Sequence, residues 1–154
     1  METIEGGLMM DKTAELQEMV DRESRAYETY DANLMLTLFH PDMVWVWPPH
    51  SRAYDPMEWV LRMGRFEKNR WRAYLQKFFD EYEVLHNSRV TRKIYVSPEG
   101  DGGFAVVDID TLWRKRDGSG DLPNVGRACK IYTLMPDGWK MLHQPGTMHY
   151  PVGT

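Results

Sequence analysis

The sequence predicts an α+β domain in which helices come first and an antiparallel meander follows. Up to Tyr82 apolar residues recur at helical spacing, with capping aspartates or proline stops at the breaks. Beyond Val84 long strand-like runs are separated by short turn clusters, the last being Met135-Pro-Asp-Gly138. No repeat, linker or low-complexity run divides the 154 residues. One domain is therefore expected over residues 12–146, with tails at 1–11 and 147–154.

Residues 1–10 carry no periodicity and read as a loose tail. From Asp11, the residues Leu16, Met19, Val20, Tyr27 and Tyr30 fall on one helical face. Glu23 lies on that same stripe, where a carboxylate must find a partner or be protonated. Asp31 caps a second, short helix whose buried side is Leu34, Met35, Leu38 and Phe39. Pro41 ends it by pushing His40 out of the helical region. Met43-Val-Trp-Val-Trp47 reads as a strand apolar on both faces, hence internal or pocket-lining, and Pro48-Pro49 stops it. Asp55-Pro56 is a helix start, with the cap followed by proline at the first helical position. The helical pattern runs through Trp59, Val60 and Met63, breaks or bends at Gly64, and resumes from Trp71 to Tyr82. Strands are expected over 84–97, 104–115, 125–135 and 139–144, followed by an irregular tail.

An apolar fraction of 42% with 27% charged residues is ordinary for a globular protein. The aromatic count is not: six Trp, eight Tyr and five Phe suit a large core or an apolar ligand cavity. Eleven Met add adaptable surface that also fits a pocket lining. A net charge of −4 argues against a nucleic-acid partner, whose phosphates need a basic excess. The local clusters Arg62/Arg65/Lys68/Arg70/Arg72 and Arg114-Lys115-Arg116 are interleaved with acids and read as solvated faces. Cys129 is the only cysteine, which leaves no intrachain disulfide and no Cys-based metal site. No stretch reaches membrane-spanning length, and no basic segment followed by an apolar run opens the chain. A cytoplasmic protein with no membrane partner is expected.

Five histidines show no paired ligand spacing, and no Gly-rich phosphate loop or Gly-x-Ser-x-Gly elbow occurs. Neither a metal nor a cofactor is expected. The remaining chemistry sits on the strands. Asp108 and Asp110 are two apart, so both carboxylates share one sheet face, opposite Ile109, Thr111 and Trp113. Facing a cavity they would repel and raise a pKa toward acid–base work. Facing outward they would be solvated or pair with Arg127 on the next strand. With Pro136-Asp137 at the turn centre, Tyr132 pairs with Met141 and Lys130 with His143. Trp139 and Met141 mark that face as buried, which would desolvate His143 and Lys130 and lower both pKa values. Trp45, Trp47, Tyr54, Trp59, Trp113 and Tyr132 could line a cavity from several elements or form a subunit interface.

The stretch Tyr27-Glu-Thr-Tyr-Asp-Ala-Asn-Leu-Met-Leu-Thr-Leu-Phe-His-Pro-Asp-Met-Val-Trp-Val-Trp-Pro-Pro49 carries a resemblance, together with Gly138-Trp-Lys-Met-Leu-His143. A long helix, a short capped helix, a His-Pro stop and a Trp-rich strand in that order resemble the NTF2-like superfamily. SnoaL-like polyketide cyclases and ketosteroid isomerases belong to it. The resemblance implies N-terminal helices packed on a strongly bent, mostly antiparallel sheet that encloses one pocket, and a homodimer formed through the sheet. The span 55–82 exceeds the single helix usual there, which implies an extra helix over the pocket mouth.

Ketosteroid isomerases use a tyrosine on the first helix and an aspartate after the first strand. The resemblance places Glu23 and Trp47 at those positions, so that route does not carry over. Limonene-epoxide hydrolases use an Arg-x-Asp pair, and Asp108-Ile-Asp110 lacks the arginine. What remains implied is a SnoaL-like enzyme working by cofactor-independent acid–base catalysis on a hydrophobic cyclic molecule, as isomerase, cyclase, dehydratase or hydrolase. His143, Asp110 and Asp108 are its expected catalytic groups. Glu23, Trp47, Tyr54, Trp59, Trp113, Lys130 and Tyr132 are its expected substrate contacts. The alternative is a non-catalytic ligand-binding or oligomerisation module, as in the transport factor itself and in kinase association domains.

Overall fold

A long helix, α1 (Glu2–Glu28), a short helix, α2 (Ala32–Leu36), a 3-10 turn (Pro56–Glu58) and a third helix, α3 (Lys68–Glu81), precede the sheet. The strands are β1 (Tyr82–Val96), β2 (Gly102–Lys115), β3 (Asp121–Met135), β4 (Gly138–His143) and β5 (Gly146–Met148). The structure is a computed structural model that describes residues 2–47, 49 and 55–148, with side chains over 12–47, 49 and 55–145. The sheet is antiparallel with order β1-β2-β3-β4, and β5 pairs with β3 along the half of its edge that β4 leaves free. Two register shifts in β1, between Val84 and His86 and between Thr91 and Lys93, are the kind that bend a sheet and increase its twist. The α+β fold expected from the sequence is the one observed.

The join between α1 and α2 follows from local hydrogen bonding. Tyr30 adopts φ +55, and the Asp31 amide donates back to the Ala26 carbonyl at 2.9 Å, closing α1 in a left-handed cap. A tyrosine rarely takes that conformation, and three contacts hold it there. Its hydroxyl accepts from the Val84 amide at 3.1 Å, its ring meets Phe79 edge-on, and the Arg116 guanidinium lies over it. Asp31 then accepts from the Leu34 amide and caps α2.

On the sheet face toward α1 stand Ala105, Val107, Ile109, Thr111 and Trp113 of β2, Ala128, Lys130 and Tyr132 of β3, and Trp139 and Met141 of β4, all buried. Leu16, Met19, Val20, Glu23, Ala26 and Tyr27 of α1 close over them. The buried face of α3 is Trp71, Leu75 and Phe79, at i, i+4 and i+8. Trp71 donates to the Met63 carbonyl at 3.0 Å and packs against Phe39, Trp45 and Phe66.

Four local expectations differ from the structure. α1 begins at Glu2, within the expected tail, and the expected irregular end contains β5. Residues 43–47 form no continuous strand; Phe39 bridges Met141, Val44 bridges Arg65 and Trp47 bridges Val60. The helix expected through Trp59, Val60 and Met63 is only the capped 3-10 turn followed by extended chain. The spacing of those three residues suits a helix, yet Met57 and Leu61 beside them are exposed, so no helical face is buried there. Pairing with the Trp47 backbone satisfies the same amides and carbonyls, and Gly64 at φ +66 turns the chain out of it. The segment is an antiparallel ribbon packed on the aromatic core, not an extra helix.

Candidate active site

Glu23 is the buried carboxylate on the α1 stripe, and the sheet supplies it with two cations. Its oxygens accept from Lys130 Nζ at 3.0 and 2.9 Å and from Arg89 Nη1 at 2.8 Å. All three side chains are almost wholly enclosed, at 1% exposure for Glu23, 0% for Lys130 and 5% for Arg89. The small side chains of Ala105, opposite Lys130, and Ala128 on the same strand let α1 approach closely enough for this contact. Arg89 reaches the site from β1. Its Nε donates to Asn87 Oδ1 at 3.1 Å, and its guanidinium lies 4.8 Å from the centre of the Tyr27 ring. Asn87 is itself held by Ser24, Glu28 and Thr111.

The electrostatics of the three groups are coupled. Burial alone would raise the Glu23 carboxyl, but the Lys130 and Arg89 cations outweigh it and hold the group below its usual range. Burial pushes the Lys130 ammonium down to about 8, although Glu23 pulls the other way. Burial, reinforced by Glu23, raises the hydroxyls of Tyr27 and Tyr132. Both phenols therefore stay neutral at neutral pH and can donate hydrogen bonds. The Tyr132 hydroxyl is buried and has no hydrogen-bond partner among the described residues. Lys130 and Tyr132 point to the same side of β3, two residues apart, with Cα atoms about 7 Å apart by strand geometry. The arrangement can donate protons and stabilise negative charge on an oxygen.

The other expected site residues lie elsewhere. Asp108 and Asp110 do share a face, and it is the one turned away from α1. Asp108 is buried there and bound by Arg127 at 2.6 and 3.0 Å, with Arg92 at 3.6 Å. Asp110 is exposed and meets His86 Nε2 at 3.0 Å. His143 pairs with Ile131 instead of Lys130, because β4 carries a one-residue irregularity after Met141. Its Nδ1 lies 3.1 Å from the Val44 carbonyl. The β3 neighbours of His143 and Asp110, Ile131 and Val125, are six residues apart, which is about 20 Å of strand. The two cannot pass a proton directly. Trp113 fills the core against Tyr27, Phe78 and Phe79. Trp47 stacks near Trp45, its Nε1 buried and without a partner among the described residues. Trp59 is half-buried beside the ribbon, and Tyr54 lies outside the described residues.

An open recess of about 480 Å³ lies on the far face of the sheet, bordered by Ser97, Asp101, Phe104, Cys129, Ile131 and Leu142. Among the described residues no three His, Cys, Asp or Glu side chains gather as metal ligands. No helix among them is long and apolar enough to cross a membrane.

No protein-family model and no curated protein matches the sequence. Solved structures do match. An NTF2-like superfamily protein from Salmonella enterica superposes with a TM-score of 0.67 at 16% identity, over 94% of this chain and 96% of its own. A ketosteroid isomerase-like protein from Erwinia carotovora gives 0.67 at 12% identity, over 91% and 98%. An NTF2-like protein from Cytophaga hutchinsonii gives 0.60 at 16% identity, over 86% and 94%. The chain has the NTF2-like fold.

Within the NTF2-like fold, the Glu23–Lys130–Arg89 group occupies the space between the first helix and the sheet. Arg89 is the member that the sequence did not single out. Its strand alternates without a clear apolar face, so nothing local separates Arg89 from Arg92 or Lys93. The only signal was indirect: a buried Glu23 requires a cation from another element.

Proposed function

We propose that this protein is a SnoaL-like enzyme that acts on an apolar cyclic molecule by acid–base catalysis without a cofactor. The reading places Lys130 and Tyr132 as the groups that donate to a substrate oxygen. Glu23 and Arg89 are positioning residues that hold the Lys130 ammonium. The observation that carries it is a fully buried lysine, lowered in pKa and tethered to one carboxylate, beside a buried tyrosine hydroxyl without a partner among the described residues. Such groups cost stability in an apolar interior and are the kind that mark functional sites. The aromatic core beside α1 and the sheet, including Tyr27 and Trp45, suits an apolar substrate. His143, half-buried against the Val44 carbonyl, and Asp110, exposed, lie far apart and are displaced from the catalytic role by this reading.

Proton exchange next to a carbonyl tests it. The wild-type protein should accelerate deuterium incorporation into an enolisable cyclic ketone such as 2-tetralone, followed by NMR in heavy water. Lys130→Met should lose about 100-fold or more of that acceleration. No acceleration by the wild type, or full activity in Lys130→Met, would overturn the assignment.

A second reading, a homodimer serving as an oligomerisation module, is favoured by a different observation. Val90 and Tyr95 of β1 and Leu142 of β4 are exposed apolar side chains on strands of the sheet. Sedimentation velocity across a hundredfold range of concentration should show a dimer that Val90→Lys weakens. A monomer throughout would exclude this reading.

A further inference from the structure

The interior cluster is unbalanced: one carboxylate, Glu23, faces two cations, Lys130 and Arg89, which leaves one positive charge in excess. The other titratable groups that act on Lys130 and Tyr132 do not correct this. Tyr27 from α1 and Tyr132 and Cys129 from β3 are raised and stay neutral, and Arg22 from α1 adds positive charge while paired with Glu18. Asn87, the other partner of Arg89, is uncharged. An uncompensated charge away from water is expensive, so a site of this kind selects a ligand that neutralises it. The buried Tyr132 hydroxyl beside it has no partner among the described residues and offers one more donor. Lys130 has three N–H donors, and its two described contacts are with Glu23.

We infer that the interior site binds apolar organic anions, with a ligand oxyanion, such as a carboxylate, received by Lys130 Nζ and the Tyr132 hydroxyl while Glu23 and Arg89 hold the lysine. The inference rests on the proposed interior substrate site and ranks, among the apolar molecules that site accepts, acids ionised at neutral pH above neutral ones. A neutral ketone or alcohol of the same shape would leave the excess charge unmet. The aromatic surroundings then fit the remainder of the molecule.

Calorimetric titration of the whole chain with 2-naphthoate and with 2-naphthamide, which differ chiefly in charge, tests the inference. The wild type should bind the carboxylate at least tenfold more tightly at pH 7. That preference should decline as the pH is raised past 8 and Lys130 loses its proton. Lys130→Met should bind both compounds alike, and Tyr132→Phe, which removes only the hydroxyl, should reduce the preference severalfold. Equal affinity for both compounds in the wild type would overturn the inference while leaving an interior site for neutral molecules intact. A preference that survives in Lys130→Met, or at pH 10, would overturn it by placing the anion elsewhere. Binding of neither compound would overturn both the inference and the interior-site reading.

Discussion

Removing the charge of Glu23 leaves the Lys130 ammonium and the Arg89 guanidinium buried without their shared counterion. Glu23→Gln should therefore destabilise the fold by about 3 kcal/mol or more, the usual cost of breaking a buried pair from one side. Lys130→Met should cost much less, since the thioether side chain is apolar and Glu23 keeps Arg89. Tyr132→Phe removes a hydroxyl that has no partner among the described residues, so stability should hold or rise by up to about 1 kcal/mol. Urea unfolding of the three variants ranks them, and a Glu23→Gln variant as stable as the wild type would contradict the buried pair. At this scale Glu23 was legible in the sequence because a charge on an apolar stripe is conspicuous. Its partners are 66 and 107 residues away, and no spacing rule connects them.

α1 and β1 both come close to the start of β2 at Gly103. A Cβ on Gly103 would lie 2.6 Å from the Tyr95 carbonyl oxygen and 2.7 Å from Leu16 Cδ1. The first atom is backbone and cannot swing aside, so Gly103→Ala must push β1 or α1 away. A loss of about 1–3 kcal/mol is expected from such overpacking. Gly120→Ala is the control, with nothing near the added carbon, and should change stability by less than about 0.5 kcal/mol. Thermal unfolding distinguishes the two. The part of α1 beyond Asp11, α3, β2, β3 and β4 were legible from periodicity because each buries one face, whereas β1 was legible only as a strand-like run ended by the turn cluster at 98–103. The ribbon was not. Its Trp59, Val60 and Met63 match a helical template, and only the pairing of Trp47 with Val60 across the chain decides for extended backbone.

For the whole molecule the buried cluster sets a pH dependence. Lys130 is lowered from 10.5 to about 8, so between those values the unfolded chain binds a proton that the folded chain has released. Its contribution to stability therefore rises with pH across that window. Glu23 is lowered below 4.5, and its contribution is present above that value and lost as the pH falls through the folded pKa. Denaturant midpoints measured at pH 8 and pH 10 should show the wild type gaining relative to Lys130→Met. A constant difference between the two proteins would mean that Lys130 is not desolvated.

The sequence by itself determined the class of fold, the order of helices and strands, the shared face of Asp108 and Asp110, and the presence of one charge where none should be buried. These depend on periodicity, caps and turns, which act over a few residues. Only the tertiary structure decided that Asp108 and Asp110 stand on the outer face, which sent Asp108 to Arg127, and that the buried Lys130 meets Glu23. It also decided the slip of one residue in β4 that separates His143 from Lys130. The physical reason is the same in both cases. Strand alternation sorts side chains into two sets, but on β2 both sets carry apolar residues, and packing against α1 says which set loses its water.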